Sequence, residues 1–263
     1  MLSEEDKNYL FDQLEGLIGK RPLFYLKFCS EEKFAKDVCN GDLYANTPDW
    51  FRMKEIESGE RGQGDSQELI QIFHAEKAWI EDNETGDLFM TVTSADWSLR
   101  FGSDDDTPIV SFVGIPIRDM IVMDADESRV RFLFPFTEDE YASMEQKFGK
   151  YCVIIGAREL EEKLRVFHKT HNLEYLFDQV IYCPQNRIDR MEAFNRGKPE
   201  RYLYKNDDLA YQREYRFVPC IEMPEDHFIR VGQLETARVF MSSQLKDFIF
   251  CLGYKTSPKT KGV

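Results

Sequence analysis

Tyr211-Gln-Arg-Glu-Tyr-Arg-Phe217 is the stretch of sequence that most constrains both the fold and the site. Successive side chains of a β-strand alternate between faces, so a strand here places Gln212, Glu214 and Arg216 on one face and Tyr215 on the other. An arginine beside a carboxylate on one face can form a charge-assisted pair that fixes the carboxylate's orientation. The simpler alternative is a cross-strand ion pair on the surface, which contributes little free energy.

A second strand is predicted near the beginning of the chain, at Pro22-Leu-Phe-Tyr-Leu-Lys-Phe28. It follows an amphipathic helix over Ser3–Ile18 that begins with a capping box. Its alternation places Tyr25 and Lys27 on the same face. A short helix and a second strand with Tyr44 come next, so these side chains are expected around one cleft, unless Lys27 is simply exposed to solvent.

A glycine-rich loop, Gly62-Gln-Gly-Asp65-Ser-Gln-Glu68, lies between the first helices and the middle of the chain. Glycines allow a backbone to approach a ligand closely. The spacing matches neither the P-loop nor the dinucleotide-binding fingerprint, so a mobile surface loop is the plain interpretation. If a ligand orders the loop, Asp65 and Glu68 are the side chains expected to contribute.

The order of elements predicts an α+β protein with one domain over residues 1–263. Strands and helices alternate without a repeating βαβ rhythm, which favours a mixed or antiparallel central sheet flanked by helices. The last residues, Lys255–Val263, are predicted to be frayed. Two helices are predicted at Glu138–Phe148 and Ala157–His171. Further strands are predicted at Leu43–Asn46, Leu69–His74, Ala78–Ile80, Leu88–Thr93, Ile109–Ile115, Met120–Met123, Val130–Phe134, Tyr151–Ile155, Phe177–Tyr182, Arg213–Pro219, His227–Val231 and Arg238–Met241.

Composition narrows the class of protein. There are 34 basic and 48 acidic residues, a net charge of −14, which argues against a nonspecific nucleic-acid binder. The first 20 residues are charged throughout, and the apolar runs are too short to span a bilayer, so we expect a cytoplasmic protein with no membrane partner. The six cysteines lie far apart and the histidines match no metal motif, so no metal site is predicted.

The three segments together resemble a family of bacterial and phage proteins encoded beside defence or abortive-infection genes. That family has an aromatic-x-Lys/His strand, a Gly-x-Leu-Tyr element leading to Asn and an aromatic residue, an acidic pair, and a late Gln/Glu-x-Glu-x-Arg strand. Where the family has Asn-Asp-Pro, this sequence has Gly62-Gln-Gly64. The matching positions here are Tyr25, Lys27, Gly41, Leu43, Tyr44, Asn46, Phe51, Asp65, Glu68, Gln212, Glu214 and Arg216.

The arrangement is also similar to the ADP-ribosyltransferase core, and this resemblance implies an NAD-using defence effector or toxin-like enzyme. It implies that Glu214 is the catalytic carboxylate, that Gln212 positions the acceptor and that Arg216 orients Glu214. Lys27 is then expected to contact the pyrophosphate or a ribose hydroxyl, and the acceptor is a nucleotide or a protein of phage or host. The cofactor-binding residues implied are Tyr25, Tyr44, Asn46, Trp50, Asp65 and Glu68.

Two alternatives remain open at this point. The first is a catalytically inactive binding or sensor module on the same scaffold, which recognises a protein or a nucleotide. The second is a metal-dependent nuclease built on Glu55, Asp65, Glu68 and Glu214, because clustered carboxylates suit Mg²⁺. The enzyme hypothesis requires Lys27 and Glu214 to face each other across a cavity.

Overall fold

A computed structural model describes residues 3–126 and 128–253, and the tail predicted to be frayed lies outside them. The described helices are α1 (Glu4–Ile18), α2 (Glu32–Asn40), α3 (Pro48–Ser58), α4 (Glu138–Phe148), α5 (Ala157–His171) and α6 (Ile188–Asn195). Short 3₁₀ helices cover Gly102–Asp104, Ile117–Asp119, Pro199–Leu203, Asp207–Gln212 and Ser242–Asp247. The strands are β1 (Pro22–Cys29), β2 (Asp42–Tyr44), β3 (Gln71–Ala75), β4 (Ala78–Glu81), β5 (Leu88–Val92), β6 (Ala95–Leu99), β7 (Val110–Pro116), β8 (Ile121–Ala125), β9 (Arg129–Leu133), β10 (Tyr151–Gly156), β11 (Tyr175–Gln179), β12 (Ile181–Tyr182), β13 (Tyr204–Lys205), β14 (Glu214–Pro219), β15 (Phe228–Arg230), β16 (Arg238–Met241) and β17 (Ile249–Gly253).

A six-stranded sheet forms the centre of the molecule, in the order β11-β14-β7-β1-β10-β16. All neighbouring strands in it are antiparallel, which confirms the predicted α+β class. The two strands singled out in the sequence, β1 and β14, are both interior strands and are separated only by β7. Strands β17, β9 and β8 form a second antiparallel sheet.

The two faces of the central sheet bury separate apolar cores. Helices α2 and α5 cover one face, where Tyr25, Phe112 and Tyr215 pack together. Helices α1 and α4 and the second sheet cover the other face, around Leu26 and Phe132. Period-two alternation along β1 therefore sends consecutive side chains into different cores, as the sequence pattern predicts.

Some of the predicted elements are wrong in detail. The strand predicted over Phe177–Tyr182 is two strands, because β11 pairs with β14 whereas β12 leaves that sheet and pairs in parallel with β13. The strand predicted from Arg213 begins at Glu214, because Arg213 adopts left-handed backbone angles at the end of a 3₁₀ helix. The sequence analysis missed α6, β6, β13 and β17.

None of the helices within residues 3–126 and 128–253 combines the length and the apolar character that a bilayer span requires.

The contact between Gly114 and Tyr215 tests the packing of the central sheet. A Cβ added at Gly114 lies 2.3 Å from ring carbons of Tyr215, so we expect Gly114→Ala to lower the free energy of unfolding by about 1–3 kcal/mol through overpacking. Gly16 on α1 has open space around it, so Gly16→Ala is the matched control and should raise stability by roughly 0.5–1 kcal/mol. Urea denaturation measures both changes, and equal effects at the two positions would contradict this packing.

Candidate functional site

A cavity of about 420 Å³ opens where the central sheet divides. Strands β1 and β7 pair only as far as Leu26 and Val113. Beyond that point β1 continues along β10 to Cys29, and β7 continues along β14 to Val110. Both of the separated strand ends line the cavity, so the divergence of β1 from β7 is what creates it.

Eight aromatic side chains contribute to the cavity wall. Helices α2, α3 and α4 and strands β1, β2, β7 and β15 each contribute at least one ring. Flat rings of this kind suit a ligand with a planar, unsaturated part. The aromatic residues are Phe28, Phe34, Tyr44, Trp50, Phe51, Phe112, Phe148 and Phe228.

The carboxylate of Glu214 lies on the polar part of this wall and is almost completely buried. One oxygen accepts hydrogen bonds from the Ser111 hydroxyl at 2.6 Å and from Arg216 Nε at 2.7 Å. The other accepts from Lys205 Nζ at 2.9 Å. Burial alone would raise the pKa of Glu214, but the charges of Arg216 and Lys205 hold it well below its ordinary value. Glu214 is therefore a fixed carboxylate.

Arg216 connects Glu214 to a second carboxylate behind the cavity wall. Its guanidinium is fully buried and forms a bidentate pair with Glu68, with both N–O distances at 2.8 Å. It also donates to the Tyr202 carbonyl at 2.7 Å. Burial lowers the pKa of Arg216, but Glu214 and Glu68 more than offset this and raise it above its usual range. The predicted arginine–carboxylate pair is confirmed, but it is buried and not on the surface.

Lys205 is a cation that the sequence analysis missed. It lies on the two-residue strand β13, and its ammonium donates to Gln212 Oε1 at 3.2 Å as well as to Glu214. Its Nζ lies 3.8 Å from a Glu68 oxygen. The segment around it carries no motif, and only the tertiary fold brings Lys205 to the cavity. Arg216 and Lys205 together neutralise the two buried glutamates.

Lys27 lies on the same cavity wall, with fewer partners. Its Nζ donates to the Ser111 carbonyl at 2.8 Å, beyond the point where β1 and β7 cease to pair. Within the described ranges no carboxylate comes within 4.0 Å of this ammonium. Burial lowers the pKa of Lys27, and the nearby Cys29 and Glu214 oppose this only in part. Lys27 is thus the least compensated cation at the cavity and the side chain best placed to meet an anionic ligand.

Gln212 lies beside Glu214, although not on the same strand as predicted. It ends the 3₁₀ helix that precedes β14. Its side-chain amide donates to the Gly62 carbonyl at 2.8 Å, and Gly62 and Gln63 line the cavity. A Cβ at Gly62, where φ is +136°, would lie 2.6 Å from the Lys147 side chain. The glycine loop therefore forms part of the cavity wall, and the side-chain amide of Gln212 bonds to its backbone there.

The residues predicted to bind a cofactor divide into two groups. Tyr44, Asn46 and Trp50 line the cavity. Tyr25 does not line the cavity; it packs in the core against Phe112 and its hydroxyl donates to Glu161 at 3.1 Å, so its predicted stacking role disagrees with its position. Glu68 and the buried Asp65 lie behind the wall; burial and the charge of Glu68 raise the pKa of Asp65.

The carboxylates proposed for a nuclease centre do not favour a divalent cation. Glu68 and Glu214 already contact Arg216 and Lys205, and Glu55 accepts a hydrogen bond from the Ser66 backbone at 2.5 Å. Among the residues that the structure describes, no group of three or more His, Cys, Asp or Glu side chains is placed to hold a metal ion.

Comparison with protein-family models, with curated proteins and with solved structures finds no match for this chain. The two resemblances drawn from the sequence therefore stay predictions.

Replacing Arg216 tests the buried ionic cluster. Arg216→Ala leaves Lys205 as the one cation beside the two buried carboxylates of Glu68 and Glu214, so we expect a loss of about 3–5 kcal/mol in the free energy of unfolding. Arg165→Ala is the matched control, because Arg165 pairs with a glutamate on the exposed surface and should change stability by less than about 1 kcal/mol. A loss below 1 kcal/mol for Arg216→Ala, measured by urea denaturation, would show that the cluster is not a structural requirement.

Proposed function

We propose that this cavity binds a nucleotide and that the protein is an NAD-using transferase or hydrolase of ADP-ribosyltransferase type. One observation carries the proposal: Lys27, Gln212 and Glu214, from opposite ends of the chain, line one cavity together with Tyr44 and Trp50. The biological setting that the sequence resemblance implies, a conflict between bacterium and phage, belongs to the same proposal.

The size and chemistry of the cavity support a nucleotide ligand. A volume of about 420 Å³ falls within the range of roughly 300–1,000 Å³ that is typical of small-molecule sites. Tyr44 and Trp50 offer rings on which a nicotinamide or adenine ring can stack. Lys27 offers an ammonium to a phosphate or ribose oxygen, and such charge-assisted contacts are stronger than neutral hydrogen bonds.

Glu214 supplies the negative charge that stabilises the transition state of this reaction. When the bond between nicotinamide and the ribose carbon breaks, its electron pair leaves with nicotinamide and the ribose becomes oxocarbenium-like. A carboxylate held beside the ribose stabilises that positive charge. Water or a side chain of the acceptor then bonds to the same carbon and loses a proton. Arg216 and Lys205 favour this role because they hold Glu214 ionised and in one orientation.

A second candidate function is nucleotide binding without catalysis. Both oxygens of Glu214 already accept hydrogen bonds, from Ser111, Arg216 and Lys205. A carboxylate with so many protein partners has little remaining capacity to contact a substrate. On this hypothesis Glu214 shapes the wall of a sensor site, and NAD⁺ binds without losing nicotinamide.

Substitution of Glu214 separates the two functions. For an enzyme, we expect Glu214→Gln to lower the rate of nicotinamide release from NAD⁺ by roughly 10²–10³-fold. The amide keeps the size of the side chain, so binding of NAD⁺ should persist. Chromatography of the released nicotinamide and calorimetric titration with NAD⁺ measure the two effects. Binding with no release, even by the wild-type protein, would identify the sensor; absence of both would remove the proposal.

Substitution of Lys27 tests the anion contact without touching the Arg216 cluster. Lys27→Met should weaken binding of NAD⁺ and of ADP-ribose by roughly 10- to 100-fold, the usual effect of losing one charged hydrogen bond. Lys36→Met is the matched control, since Lys36 pairs with Glu32 on the exposed side of α2 and should leave affinity unchanged. Equal affinities of the two variants in calorimetric titration would exclude Lys27 from the site.

A further inference from the structure

Residues 71–99 form a two-stranded antiparallel ribbon, here called the arm. Strand β3 pairs with β6 at its base, and β4 pairs with β5 towards its tip. Gln71 at the base is fully buried, whereas every residue from 79 to 91 is exposed. The arm therefore projects from the body of the protein, and none of its residues lines the cavity.

The outer edge of β5 is free to pair with a further strand. Among the residues that the structure describes, β5 pairs with β4 alone, so its other edge presents backbone N–H and C=O groups that no strand satisfies. Proteins usually protect such an edge with charged residues or prolines. Strand β4 contains Glu81 and follows Lys77, whereas Leu88-Phe-Met-Thr-Val92 of β5 contains no charge and no proline. The one register shift of the pair lies at the tip and leaves residues 90–92 regular.

Exposed apolar side chains lie on both faces of the ribbon beside this edge. The register places Ile80 opposite Met90 on one face, and Trp79 lies on the other face with Phe89. A strand that pairs with β5 would extend both faces, so its alternate side chains could contact apolar groups on either side. An exposed apolar surface of this kind marks an interaction site. The large exposed apolar side chains of the arm are Trp79, Ile80, Leu88, Phe89, Met90 and Trp97.

The charge of the arm determines which kind of strand it can accept. Its 29 residues carry six carboxylates and one lysine, so they hold −5 of the chain's net charge of −14. Within the described ranges, none of the four carboxylates at the tip lies within 4.0 Å of a lysine, arginine or histidine nitrogen. A second copy of the chain would be repelled by this charge, whereas a basic segment would be attracted. The tip carboxylates are those of Glu81, Asp82, Glu84 and Asp87.

We propose that the arm docks an extended, basic segment of a different protein, which adds as a third strand at the free edge of β5. In this mode of recognition, main-chain hydrogen bonds supply affinity and alternate side chains supply specificity. The docked segment has apolar residues beside β5 and lysine or arginine beside the acidic tip. An isolated two-stranded ribbon is at best marginally stable in water, so a third strand also stabilises the arm. This function is separate from that of the cavity.

Fluorescence anisotropy of a labelled synthetic peptide tests the proposal without nucleotide. The probe is Lys-Lys-Val-Thr-Val-Thr-Val-Lys-Lys, which has lysines at both ends and so reaches the tip in either strand direction. We expect it to bind, and to bind at least 10-fold more weakly at about 500 mM than at about 50 mM NaCl. The same peptide with glutamate for lysine should lose at least 10-fold in affinity. So should the lysine peptide with its five central amide nitrogens methylated, because these can no longer donate to a strand edge.

Two variants of the protein locate the docking site. Conversion of the four tip carboxylates to their amides should weaken binding of the lysine peptide by at least 10-fold, and Asp82→Asn keeps an oxygen that can accept from the turn backbone. Replacing residues 76–94 with Asn-Gly joins the paired Ala75 and Ala95 through a favoured two-residue turn and should remove binding altogether. The matched control converts four exposed carboxylates elsewhere and should keep the affinity within about 3-fold. Its substitutions are Glu5→Gln, Asp139→Asn, Glu222→Gln and Glu225→Gln.

Several results would overturn the proposal. They are failure of the wild-type chain to bind the lysine peptide, equal binding of the methylated peptide, and binding that survives removal of the arm. A dimer of the wild-type chain that disappears with the arm, seen by sedimentation velocity without peptide, would assign the arm to a second copy instead. None of these results bears on the nucleotide proposal, because no residue of the arm lines the cavity.

Discussion

The buried guanidinium of Arg216 is the constraint on which the rest of the site depends. Moving charges out of water costs several kcal/mol per ion, and only well-formed partners offset this cost. Arg216 finds them in Glu214 on its own strand and in Glu68 from the end segment of the glycine loop. One side chain therefore fixes the start of β14, the position of that segment and the orientation of the carboxylate on the cavity wall.

The cavity exists because β1 and β7, which are neighbours in the central sheet, stop pairing partway along their length. Once β1 and β7 separate, the Ser111 backbone carbonyl is satisfied by Lys27 and not by a strand partner. The same separation exposes Glu214 and several aromatic rings to one enclosed space. A chain with a net charge of −14 thus presents a cation that is only partly compensated inside this cavity. That contrast is what favours an anionic ligand of nucleotide type.

The sequence predicted what depends on local patterns and missed what depends on tertiary contacts. Helix α5 and the shared face of Glu214 and Arg216 on β14 follow from periodicity, and the structure confirms both, whereas Gln212 lies outside the strand. Tyr25 and Lys27 share a predicted face, yet only Lys27 reaches the cavity, because the point at which β1 leaves β7 is not encoded locally. The sequence could not predict the place of Lys205 at the cavity for the same reason. Lys205 reaches the cavity only because the two-residue strand β13 pairs with β12.

The ionisation of Glu214 is the most direct test of this account. Carbon-13 NMR of the protein labelled at glutamate side-chain carboxyls, with the Glu214→Gln spectrum to assign the signal, reports it directly. The contacts with Arg216 and Lys205 predict that the Glu214 signal stays that of a carboxylate as the pH falls through the ordinary glutamate pKa of about 4.3. A Glu214 signal that titrates near or above that value would contradict the central claim that this side chain is a fixed anion at the cavity.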